Sequence, residues 1–295
     1  MSVYCFLNGR YVDVREASIS ALDRGFLFGE GLFETWRTYQ GRPFAIEEHL
    51  RRMNRSARAL GIPFDPNEPW RARTLRLSRL NGMTGRSGAV RLTVSRGAGP
   101  VTLIPEGVRR PTRLMLFRPL EPGLGRARRE GVAVHLHPFG AGVHPGLRQI
   151  KTVNYLPAVI ARSEARKRGC FESLYRLDDG TILEGTTSNI FIVRRGRLLT
   201  SPVAAGVLPG VTRGLVLRIA GKVAETRETR LRDSDLLGAD EAFLTSSTIE
   251  VLPVVRVGRR RIGDGRPGPL TRELQRRYRE LVARRLDLPV DRLGD

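Results

Sequence analysis

A rare lysine lies in the stretch Gly146-Leu-Arg-Gln-Ile-Lys-Thr-Val-Asn-Tyr-Leu156. Nearly all of the other basic residues of the chain are arginines. Among 51 lysine and arginine residues, lysine stands only at Lys151, Lys167 and Lys222. Either residue type can supply a bulk charge, a salt bridge or a phosphate contact, but only an amine can lose its proton and form a Schiff base. Lys151, set among apolar and small residues at a predicted strand-to-helix junction, is therefore a candidate for amine chemistry.

The two other lysines have the sequence surroundings of solvated helix positions. Lys167 lies within Glu164-Ala-Arg-Lys-Arg168, and Lys222 lies late in a predicted helix. Charged helix positions usually face water, so we predict that both are exposed. For Lys151 the spacing alone leaves two interpretations open, a catalytic amine or a lysine that extends its amine to solvent from a helix start.

The composition is that of an ordinary globular protein with room for one large or two medium domains. The chain has 295 residues, of which 40% are hydrophobic and 27% charged. Its two cysteines, Cys5 and Cys170, are far apart, which fits a reducing cytoplasm and argues against a disulfide framework or a zinc site. We therefore expect a cytoplasmic location and no metal. The start lacks the pattern of a signal peptide and no long apolar window follows, so we expect no membrane span.

The formal net charge of +21 needs an interpretation of its own. Such a charge would favour nucleic acid or anionic surfaces through long-range attraction. The arginines, however, are spread along the whole chain among 30 acidic residues, and no nucleic-acid-binding motif accompanies them. We expect mostly solvated faces and no dedicated nucleic-acid surface, and we keep a basic nucleic-acid-binding protein without catalysis as the alternative of a different class.

Periodicity predicts a mixture of strands and helices along the whole chain. The alternating segments 3–7 and 10–14 flank Asn8-Gly9, a strong hairpin signal because a type I′ turn needs positive φ. The breaker-rich stretch 119–125 predicts a linker, so we divide the chain into an N-terminal α/β domain at 1–118, a linker at 119–131 and a C-terminal domain at 132–295. Further strands are predicted at 32–39, 89–95, 112–117, 132–137, 172–177, 189–193, 242–245 and 251–257, and helices at 46–60, 70–80, 154–168, 208–224 and 270–285.

Four further features make sense together if Lys151 holds an aldehyde cofactor, and the first two are a carboxylate and a helix start in the second half of the chain. Glu184 precedes the small and hydroxylated run Gly185-Thr-Thr-Ser-Asn189, and a carboxylate beside a pyridine nitrogen keeps that nitrogen protonated. The stretch Leu208-Pro-Gly-Val-Thr-Arg213 predicts a helix start with Thr212 as the capping residue, and such a start attracts phosphate. Alone, Glu184 fits a turn or edge-strand acid, and the helix start fits a plain N-cap.

Two more features allow either a binding or a bland interpretation. The hydroxyls of Thr245-Ser-Ser-Thr248, after an apolar strand, can bind an anion or simply make a turn. Arg52, on the first long helix, lies at the edge of the apolar stripe and can reach inward, although an exposed helix arginine is the usual case.

Taken together, six motifs resemble one family, the class IV (fold-type IV) pyridoxal-phosphate aminotransferases. This group includes branched-chain aminotransferases, D-amino acid aminotransferases and aminodeoxychorismate lyases. Each motif is weak alone, but their order along nearly the whole chain is specific. The motifs are Asp23-Arg-Gly-Phe-Leu-Phe-Gly-Glu-Gly-Leu-Phe-Glu34, Glu48-His-Leu-Arg-Arg52, Ile150-Lys151 with Asn154-Tyr155, Glu184-Gly-Thr-Thr-Ser-Asn189, Leu208-Pro-Gly-Val-Thr-Arg213 and Thr245-Ser-Ser-Thr248.

The resemblance implies a two-domain α/β (α+β) fold of the D-amino acid aminotransferase type, with pyridoxal 5′-phosphate flanked by the two domains, in a homodimer. It implies that Lys151 is the Schiff-base lysine and the proton shuttle, and that Glu184 is the partner of the pyridine nitrogen. The phosphate would be held by the remaining matched positions, and Tyr155 would contact the phenolic oxygen of the ring. Those phosphate positions are Arg52, the backbone at Val211 and Thr212, and the hydroxyls or amides of Ser247 and Thr248.

The substrate is less clearly marked than the cofactor. Arg91 resembles the substrate-carboxylate arginine of branched-chain enzymes, and Phe33 and Arg37 match aromatic and basic positions on the facing strand. Those enzymes usually have a tyrosine where Ala89 stands. The loop at 99–103 lacks the Arg-x-His pair of familiar D-amino acid aminotransferases. We therefore expect amino-group transfer between an amino acid, branched-chain-type favoured, and a 2-oxo acid such as 2-oxoglutarate.

The alternative is an aminodeoxychorismate lyase, which forms 4-aminobenzoate and pyruvate. Thr35 fits that group, and the segment 92–97 resembles it in general character. Lyases tend to have a lysine at the place of Arg91 and an arginine near Val101, which this chain does not have. One hydroxyl or methylene in a pocket shifts preference by about 1–3 kcal/mol, so both activities stay open at this point.

Overall fold

The computed structural model describes residues 3–138 and 145–294, which fall into two compact units. Unit 1 comprises Met1–Leu120, Ile150–Asn154 and Arg285–Asp295, and unit 2 comprises Glu121–Gln149 and Tyr155–Arg284. The short segment that carries Lys151 thus belongs to unit 1, although its neighbours on both sides in the sequence belong to unit 2. The domain boundaries at 118 and 132 stay a prediction, and residues 124–130 of the predicted linker form a helix.

Within the described residues, unit 1 is built on a six-stranded sheet in which neighbouring strands are antiparallel, in the order β2-β1-β6-β5-β3-β4. The predicted helices at 46–60 and 70–80 are confirmed. The elements are β1 (Tyr4–Leu7), β2 (Arg10–Asp13), α1 (Arg24–Phe28), β3 (Gly31–Tyr39), β4 (Arg42–Pro43), α2 (Ile46–Leu60), α3 (Trp70–Leu80), β5 (Gly88–Ser95) and β6 (Thr112–Pro119).

The first hairpin is confirmed with the turn that its sequence predicts. Asn8 and Gly9 have φ of 48° and 97°, and Leu7 pairs with Arg10 across them. Positive φ at both central residues is the requirement of a type I′ turn, which suits asparagine followed by glycine.

Strand β3 alternates between a face buried under α2 and the opposite face of the sheet. Leu32 and Trp36 pack in one apolar core with Ile46 and Met53 of α2. Because successive side chains of a strand point to opposite faces, the odd-numbered residues 33, 35 and 37 lie on the other face. That alternation separates a packed helix side from the side on which the candidate substrate residues stand.

Unit 2 is built on a mixed sheet in the order β12-β11-β10-β14-β15-β7-β8-β9-β13, with β16 beside β15. The pairs β7–β8, β15–β7 and β11–β12 are parallel. The elements are α4 (Leu124–Glu130), β7 (Val132–Pro138), α5 (Pro145–Arg148), α6 (Leu156–Lys167), β8 (Glu172–Arg176), β9 (Thr181–Gly185), β10 (Asn189–Arg194), β11 (Arg197–Thr200), α7 (Val211–Ala220), β12 (Thr226–Glu228), β13 (Leu231–Arg232), α8 (Asp233–Leu237), β14 (Glu241–Ser246), β15 (Glu250–Val257), β16 (Arg260–Arg261) and α9 (Pro269–Leu286), with 3-10 turns at Val203–Ala205 and Val290–Leu293.

The mixture of helices with antiparallel and parallel strands confirms the predicted α/β (α+β) class. The long predicted strands and helices are present with ends shifted by at most four residues, whereas several short elements, among them strands β9 and β11, were not predicted. Both are only four or five residues long and lie beside turn residues, so they offer little periodicity. None of the helices in the described part of the chain is both long and apolar enough to span a membrane.

Candidate active site

The segment that carries Lys151 runs alongside the beginning of β3. The backbone N–H of Phe33 donates to the Lys151 carbonyl over 2.9 Å, and that of Val153 donates to the Gly31 carbonyl over 3.0 Å. Lys151 thus lies in the strand-like part of the predicted strand-to-helix junction, and α6 begins at Leu156, two residues later than predicted. The main chain of Lys151 is held by strand-like hydrogen bonds to β3, which fixes the origin of its side chain.

The Phe33 ring is in contact with two cationic side chains. Lys151 Nζ is 4.4 Å from the ring centroid, and the guanidinium carbon of Arg91 is 3.6 Å from it. Both are within the range of cation–π attraction. Lys151 is half-buried, whereas Lys167 and Lys222 are exposed as predicted.

The three predicted substrate residues share one face of the sheet in unit 1. Arg91 pairs directly with Thr35 across β3 and β5, and its Nε donates to Thr93 Oγ1 over 3.2 Å. Arg37, two residues along β3 from Thr35, is buried, with its guanidinium carbon 4.5 Å from the centroid of the Tyr39 ring. The structure thus groups Phe33 and Arg91 closely with Lys151 and places Arg37 further along the same face.

On the helix-covered face of the same sheet, Arg52 is buried and pairs with Glu34. Arg52 Nε and one terminal nitrogen each donate to a different Glu34 oxygen over 2.7 Å, and His49 Nδ1 lies 2.7 Å from the same carboxylate. Arg52 therefore reaches inward, as a binding role requires. We had not predicted that Glu34 is the partner of Arg52. The signal was a carboxylate between Leu32 and Trp36 on the buried face of a strand, because a buried charge must be paired.

The protonation of this cluster follows from its burial. Burial by itself raises the pKa of Glu34, but the adjacent Arg52 guanidinium and the bond from His49 outweigh it and lower that pKa to about 2. Burial lowers the pKa of His49 against the opposing effect of Glu34, and Arg52 and Lys151 lower it further. We conclude that Glu34 is ionised and that His49 is neutral at neutral pH, with Nδ1–H donating to the carboxylate.

In unit 2, the Glu184 carboxylate is held by residues from two of the predicted motifs. The Leu208 backbone N–H donates to both of its oxygens, over 3.0 and 3.1 Å, and Asn189 Nδ2 donates to one of them over 2.9 Å. The same Asn189 nitrogen also donates to the Leu208 carbonyl over 2.9 Å. Glu184 lies in β9 and is half-buried, so it is a carboxylate of fixed position and not a solvated turn acid.

The start of α7 lies directly beside this cluster. Its N-cap is Gly210, and among the described residues no side chain caps the helix, so the expected capping role of Thr212 is wrong. Thr212 is instead the second helical residue and is buried. A Cβ on Gly210 would lie 2.0 Å from Asn189 Oδ1, so glycine is required for this close approach. The uncapped backbone N–H groups and the helix dipole make this end attractive to an anion.

The hydroxylated motif begins at the end of β14, and its first residue lies on the same face as Asn189. Thr245 pairs directly with Asn189 across β14 and β10, and directly paired residues point to the same side of a sheet. Thr245 Oγ1 is buried, and within the described ranges it has no hydrogen-bond partner. Ser247 and Thr248 follow in the turn that leads to β15 and are half-buried.

Tyr155, the N-cap residue of α6, lies in the electrostatic neighbourhood of Tyr175 and Glu184. The pKa of Tyr175 is raised, first by burial and then by the charges of Glu172, Tyr155 and Glu184. The predicted residues Tyr155 and Glu184 therefore both lie close enough to Tyr175 to raise the pKa of its phenol.

Residues 31–257 match the family model of amino-transferase class IV, and this range runs from the start of β3 to the end of β15. The chain belongs to the class IV aminotransferases. The family that the six motifs predict is thereby confirmed, and with it the prediction of an enzyme that transfers amino groups.

Relatives of this aminotransferase match it over nearly its whole length. A putative branched-chain-amino-acid aminotransferase of Methanocaldococcus jannaschii is 34% identical over 280 residues, covering 94% of this chain and 95% of the relative. An aminodeoxychorismate lyase of Bacillus subtilis is 30% identical, covering 94% of each. The branched-chain amino acid aminotransferase of Thermobaculum terrenum, solved in its PLP-form, superimposes with a TM-score of 0.82 at 28% identity, covering 96% of this chain and 95% of that one. This likeness confirms the predicted fold-type IV architecture.

A second carboxylate of this aminotransferase, Glu172, organises the hydroxylated run that follows Glu184. Glu172 is fully buried at the start of β8. One carboxylate oxygen accepts from Thr186 Oγ1 over 2.6 Å and from the Ser173 backbone N–H over 2.9 Å, and the other accepts from Thr187, Ser188 and Arg162 over 3.1, 3.2 and 2.9 Å. We had not predicted this role. The only signal was an acid at the start of an otherwise buried strand.

Proposed function

We propose that this aminotransferase uses pyridoxal 5′-phosphate to move an amino group between an amino acid, branched-chain-type favoured, and a 2-oxo acid such as 2-oxoglutarate. The observation that carries the proposal is the half-buried amine of Lys151, packed with Arg91 against the Phe33 ring. An amine of fixed origin beside a guanidinium suits a reaction in which a proton moves at the carbon next to a carboxylate.

The residues present fit this cofactor. When bound, pyridoxal phosphate supplies an aldehyde and a ring that accepts electrons. The fixed Glu184 carboxylate suits a cationic ring nitrogen, and the uncapped N-terminus of α7 suits a phosphate. The buried hydroxyl of Thr245 supports a polar ligand on that side of the sheet of unit 2. Under this proposal Val211, Thr212, Ser247, Thr248 and Arg52 hold the phosphate, and Tyr155 contacts the phenolic oxygen of the ring.

Lys151 has two tasks in this proposal. Its Nζ would hold the cofactor aldehyde in the resting enzyme, and when a substrate amine occupied that place, the freed Nζ would accept the α-proton of the substrate and donate a proton back. The hydrogen bond from Phe33 N–H to the Lys151 carbonyl keeps the backbone still while the side chain moves between these positions.

Arg91 and Arg37 are assigned to the carboxylates of the substrates. The Arg91 guanidinium is oriented by the Phe33 face and by Thr93 Oγ1, which presents its donors in a fixed plane. The same Phe33 ring offers an apolar contact to a branched side chain. The names of the Methanocaldococcus relative and of the Thermobaculum structure support a branched-chain donor.

Lyase activity on aminodeoxychorismate is the second candidate. Thr35, the residue that fits the lyase group, stands directly opposite Arg91, and the Bacillus subtilis relative is a lyase. The two activities differ in their need for an acceptor, because transamination consumes a 2-oxo acid and the lyase reaction does not.

One experiment separates the two candidates. The purified enzyme, loaded with pyridoxal phosphate, is given branched-chain donors with 2-oxoglutarate and, separately, aminodeoxychorismate alone. Glutamate formation supports transamination, whereas pyruvate and 4-aminobenzoate without an acceptor support the lyase. Lys151→Arg must abolish both activities and the borohydride labelling of its peptide, while Lys222→Arg, at an exposed lysine, must retain them. Turnover or labelling in Lys151→Arg would refute the assigned role.

We propose further that the enzyme is a homodimer that forms through an apolar surface on unit 1. Phe26 is 79% exposed, and Leu103 is 82% exposed. The buried Arg24 joins their segments, since it donates to the carbonyls of Pro100 and Thr102 over 2.6 and 2.7 Å. Large apolar side chains that are exposed on neighbouring segments favour a protein interface.

Phe26→Glu places a charge in this surface and is expected to shift the sedimentation coefficient from dimer to monomer. Arg10→Glu, at an exposed position of the sheet edge, is the control and should leave the dimer intact. A wild-type protein that sediments as a monomer would contradict the proposal. We also propose a cytoplasmic location, which the two free and buried cysteines, Cys5 and Cys170, support.

A further inference from the structure

We propose that His135, His137 and Glu164 of unit 2 form a binding site for a divalent metal ion of the zinc class, separate from the candidate active-site residues. One ligand atom from each of the three side chains lies within 4.8 Å of the others. His137 Nδ1 is 3.0 Å from a Glu164 oxygen, so two of the three are already in contact.

The fold brings these side chains together for simple geometric reasons. His135 and His137 are two residues apart on β7 and therefore point to the same face of the sheet. Helix α6, which connects β7 to its parallel neighbour β8, packs on that face and supplies Glu164. The Tyr175 ring of β8 meets the His137 ring edge-on, with centroids 6.2 Å apart, and limits its rotation.

The donor set suits zinc and similar ions. Two imidazoles and one carboxylate are a recurrent zinc-binding set that leaves a fourth position for water. Metal–ligand bonds of about 2.1 Å place tetrahedral ligand atoms about 3.4 Å apart, so the side chains must move together by at most about 1.4 Å. The absence of paired cysteines, from which we expected no zinc site, does not bear on a histidine–carboxylate site.

The local charges set the expected affinity. Burial lowers the pKa of His135, and the positive charge of Arg168 lowers it further, so Arg168 lies close enough to this ring to act on it. Arg168 also opposes a bound cation. The Glu164 carboxylate, which is 43% exposed, supplies the compensating negative charge.

Zinc binding is measured by titration calorimetry on tag-free holoenzyme at pH 7.5 in a buffer that does not chelate metal. We expect saturable binding of one ion per chain that weakens at pH 6. His137→Asn keeps a side-chain donor toward Glu164 but removes the ring nitrogen, and Glu164→Gln removes the charge. Each is expected to weaken binding about 10-fold or more, because a ligand matters at least as much as its supporting contacts.

Arg168→Gln tests the site in the opposite direction, because it removes a repelling charge at an exposed position and should tighten binding by about threefold or more. Glu130→Gln, at an exposed carboxylate paired with Arg126, is the matched control and should bind as wild type does. Wild-type affinity in both His137→Asn and Glu164→Gln, or no saturable binding at all, would overturn the proposal. Glu164→Gln decides the matter if His137→Asn fails to fold, since Glu164 lies at the surface.

Discussion

Glu34 and Arg52 form a two-point ion pair in which each carboxylate oxygen lies 2.7 Å from a different guanidinium nitrogen. Both side chains are buried, one on β3 and the other on α2. A planar fork held at two points can rotate little, so the strand decides the direction in which the helix presents the guanidinium. The orientation of an arginine to which we assign a phosphate contact thus depends on a residue that has no such role.

Replacing Glu34 by glutamine should destabilise the protein strongly. The change leaves the buried Arg52 charge without its counter-charge, and breaking such a pair costs about 3–5 kcal/mol of unfolding free energy. Urea denaturation measures it. Glu47→Gln, at the exposed pair with Arg71, is the control and should cost less than about 1 kcal/mol. Equal losses of unfolding free energy in the two variants would show that the buried ion pair stabilises the protein no more than the exposed one.

The same cluster should make stability depend on pH in a defined direction. The pKa of His49 is lowered in the folded protein, so as pH falls below its ordinary value of 6.5 the unfolded chain takes up a proton that the folded chain does not, and stability declines. The pKa of Glu34 is lowered to about 2, so its contribution is present above its ordinary 4.5 and is lost only as pH falls toward 2.

The histidine contribution can be isolated by urea denaturation at pH 7.5, 6.5 and 5.5. Wild type should lose stability more steeply toward acid than His49→Asn, which retains a donor to Glu34 but does not titrate. Parallel curves for the two proteins would mean that His49 is not held neutral.

Two glycines at the start and in the interior of α7 should respond to alanine in opposite ways. At Gly210 the new methyl group would lie 2.0 Å from Asn189 Oδ1 and would displace the residue that positions Glu184. Overpacking of this kind costs about 1–3 kcal/mol, and it should also weaken binding of pyridoxal phosphate. At Gly214, in the interior of α7, no neighbouring atom lies within 4 Å, so alanine should stabilise by about 0.5–1 kcal/mol. Thermal melts and cofactor absorbance titrations test both, and tight cofactor binding in Gly210→Ala would contradict the expected displacement of Asn189.

Glu172→Gln should disturb the hydroxylated run 186–188. Its amide would place donor hydrogens against hydroxyls that now donate to a carboxylate, at an expected cost of about 1–3 kcal/mol. The matched control is a change at the exposed Glu121, because its carboxylate also lies near Arg162, at 3.9 Å. Glu121→Gln should change the unfolding free energy by less than about 0.5 kcal/mol in the same denaturation assay. A large loss of unfolding free energy in Glu121→Gln would indicate that the ion pairs of Arg162, and not the hydroxyl hydrogen bonds, stabilise this region.

Arg91→Lys should raise KM for the 2-oxo acid more than it lowers kcat. Lysine keeps the charge but loses the planar contact with Phe33 and the bond to Thr93, and a charge-assisted bond of about 1.5–3 kcal/mol corresponds to a loss in affinity of about tenfold or more. Steady-state kinetics measure the change, with Arg118→Lys, an exposed residue of β6, as the control. An unchanged KM would remove Arg91 from the substrate site.

The sequence predicted those features that depend on residues close together in the chain, namely helices and a tight turn. Helices 46–60 and 70–80 and the Asn8-Gly9 hairpin follow from periodicity and turn chemistry, and all are present. The motif resemblance grouped Glu184, Asn189 and Leu208, which the structure joins by hydrogen bonds. Thr212 was assigned as a cap because threonine is common there, but the true cap is the glycine that packs on Asn189.

The predictions failed where the partner is distant in the sequence. Neither Glu34 with Arg52 nor Glu172 with its hydroxyls has a spacing that a periodic pattern could reveal, because their contacts are made between separate elements. The same holds for the position of Lys151, because its neighbours in the sequence predict only a strand-to-helix junction, whereas its hydrogen bonds to β3 join residues more than a hundred positions apart.

The segment of Lys151, the residue to which we assign the reactive amine, is anchored to β3 by main-chain atoms, from Phe33 N–H to the Lys151 carbonyl and from Val153 N–H to the Gly31 carbonyl. Mutations that alter only side chains on β3 or β5 leave these bonds in place. Substrate preference can therefore drift, residue by residue, without relocating the chemistry. This separation offers a physical reason why a relative that is 34% identical to this chain is named as a putative aminotransferase and one that is 30% identical is named as a lyase.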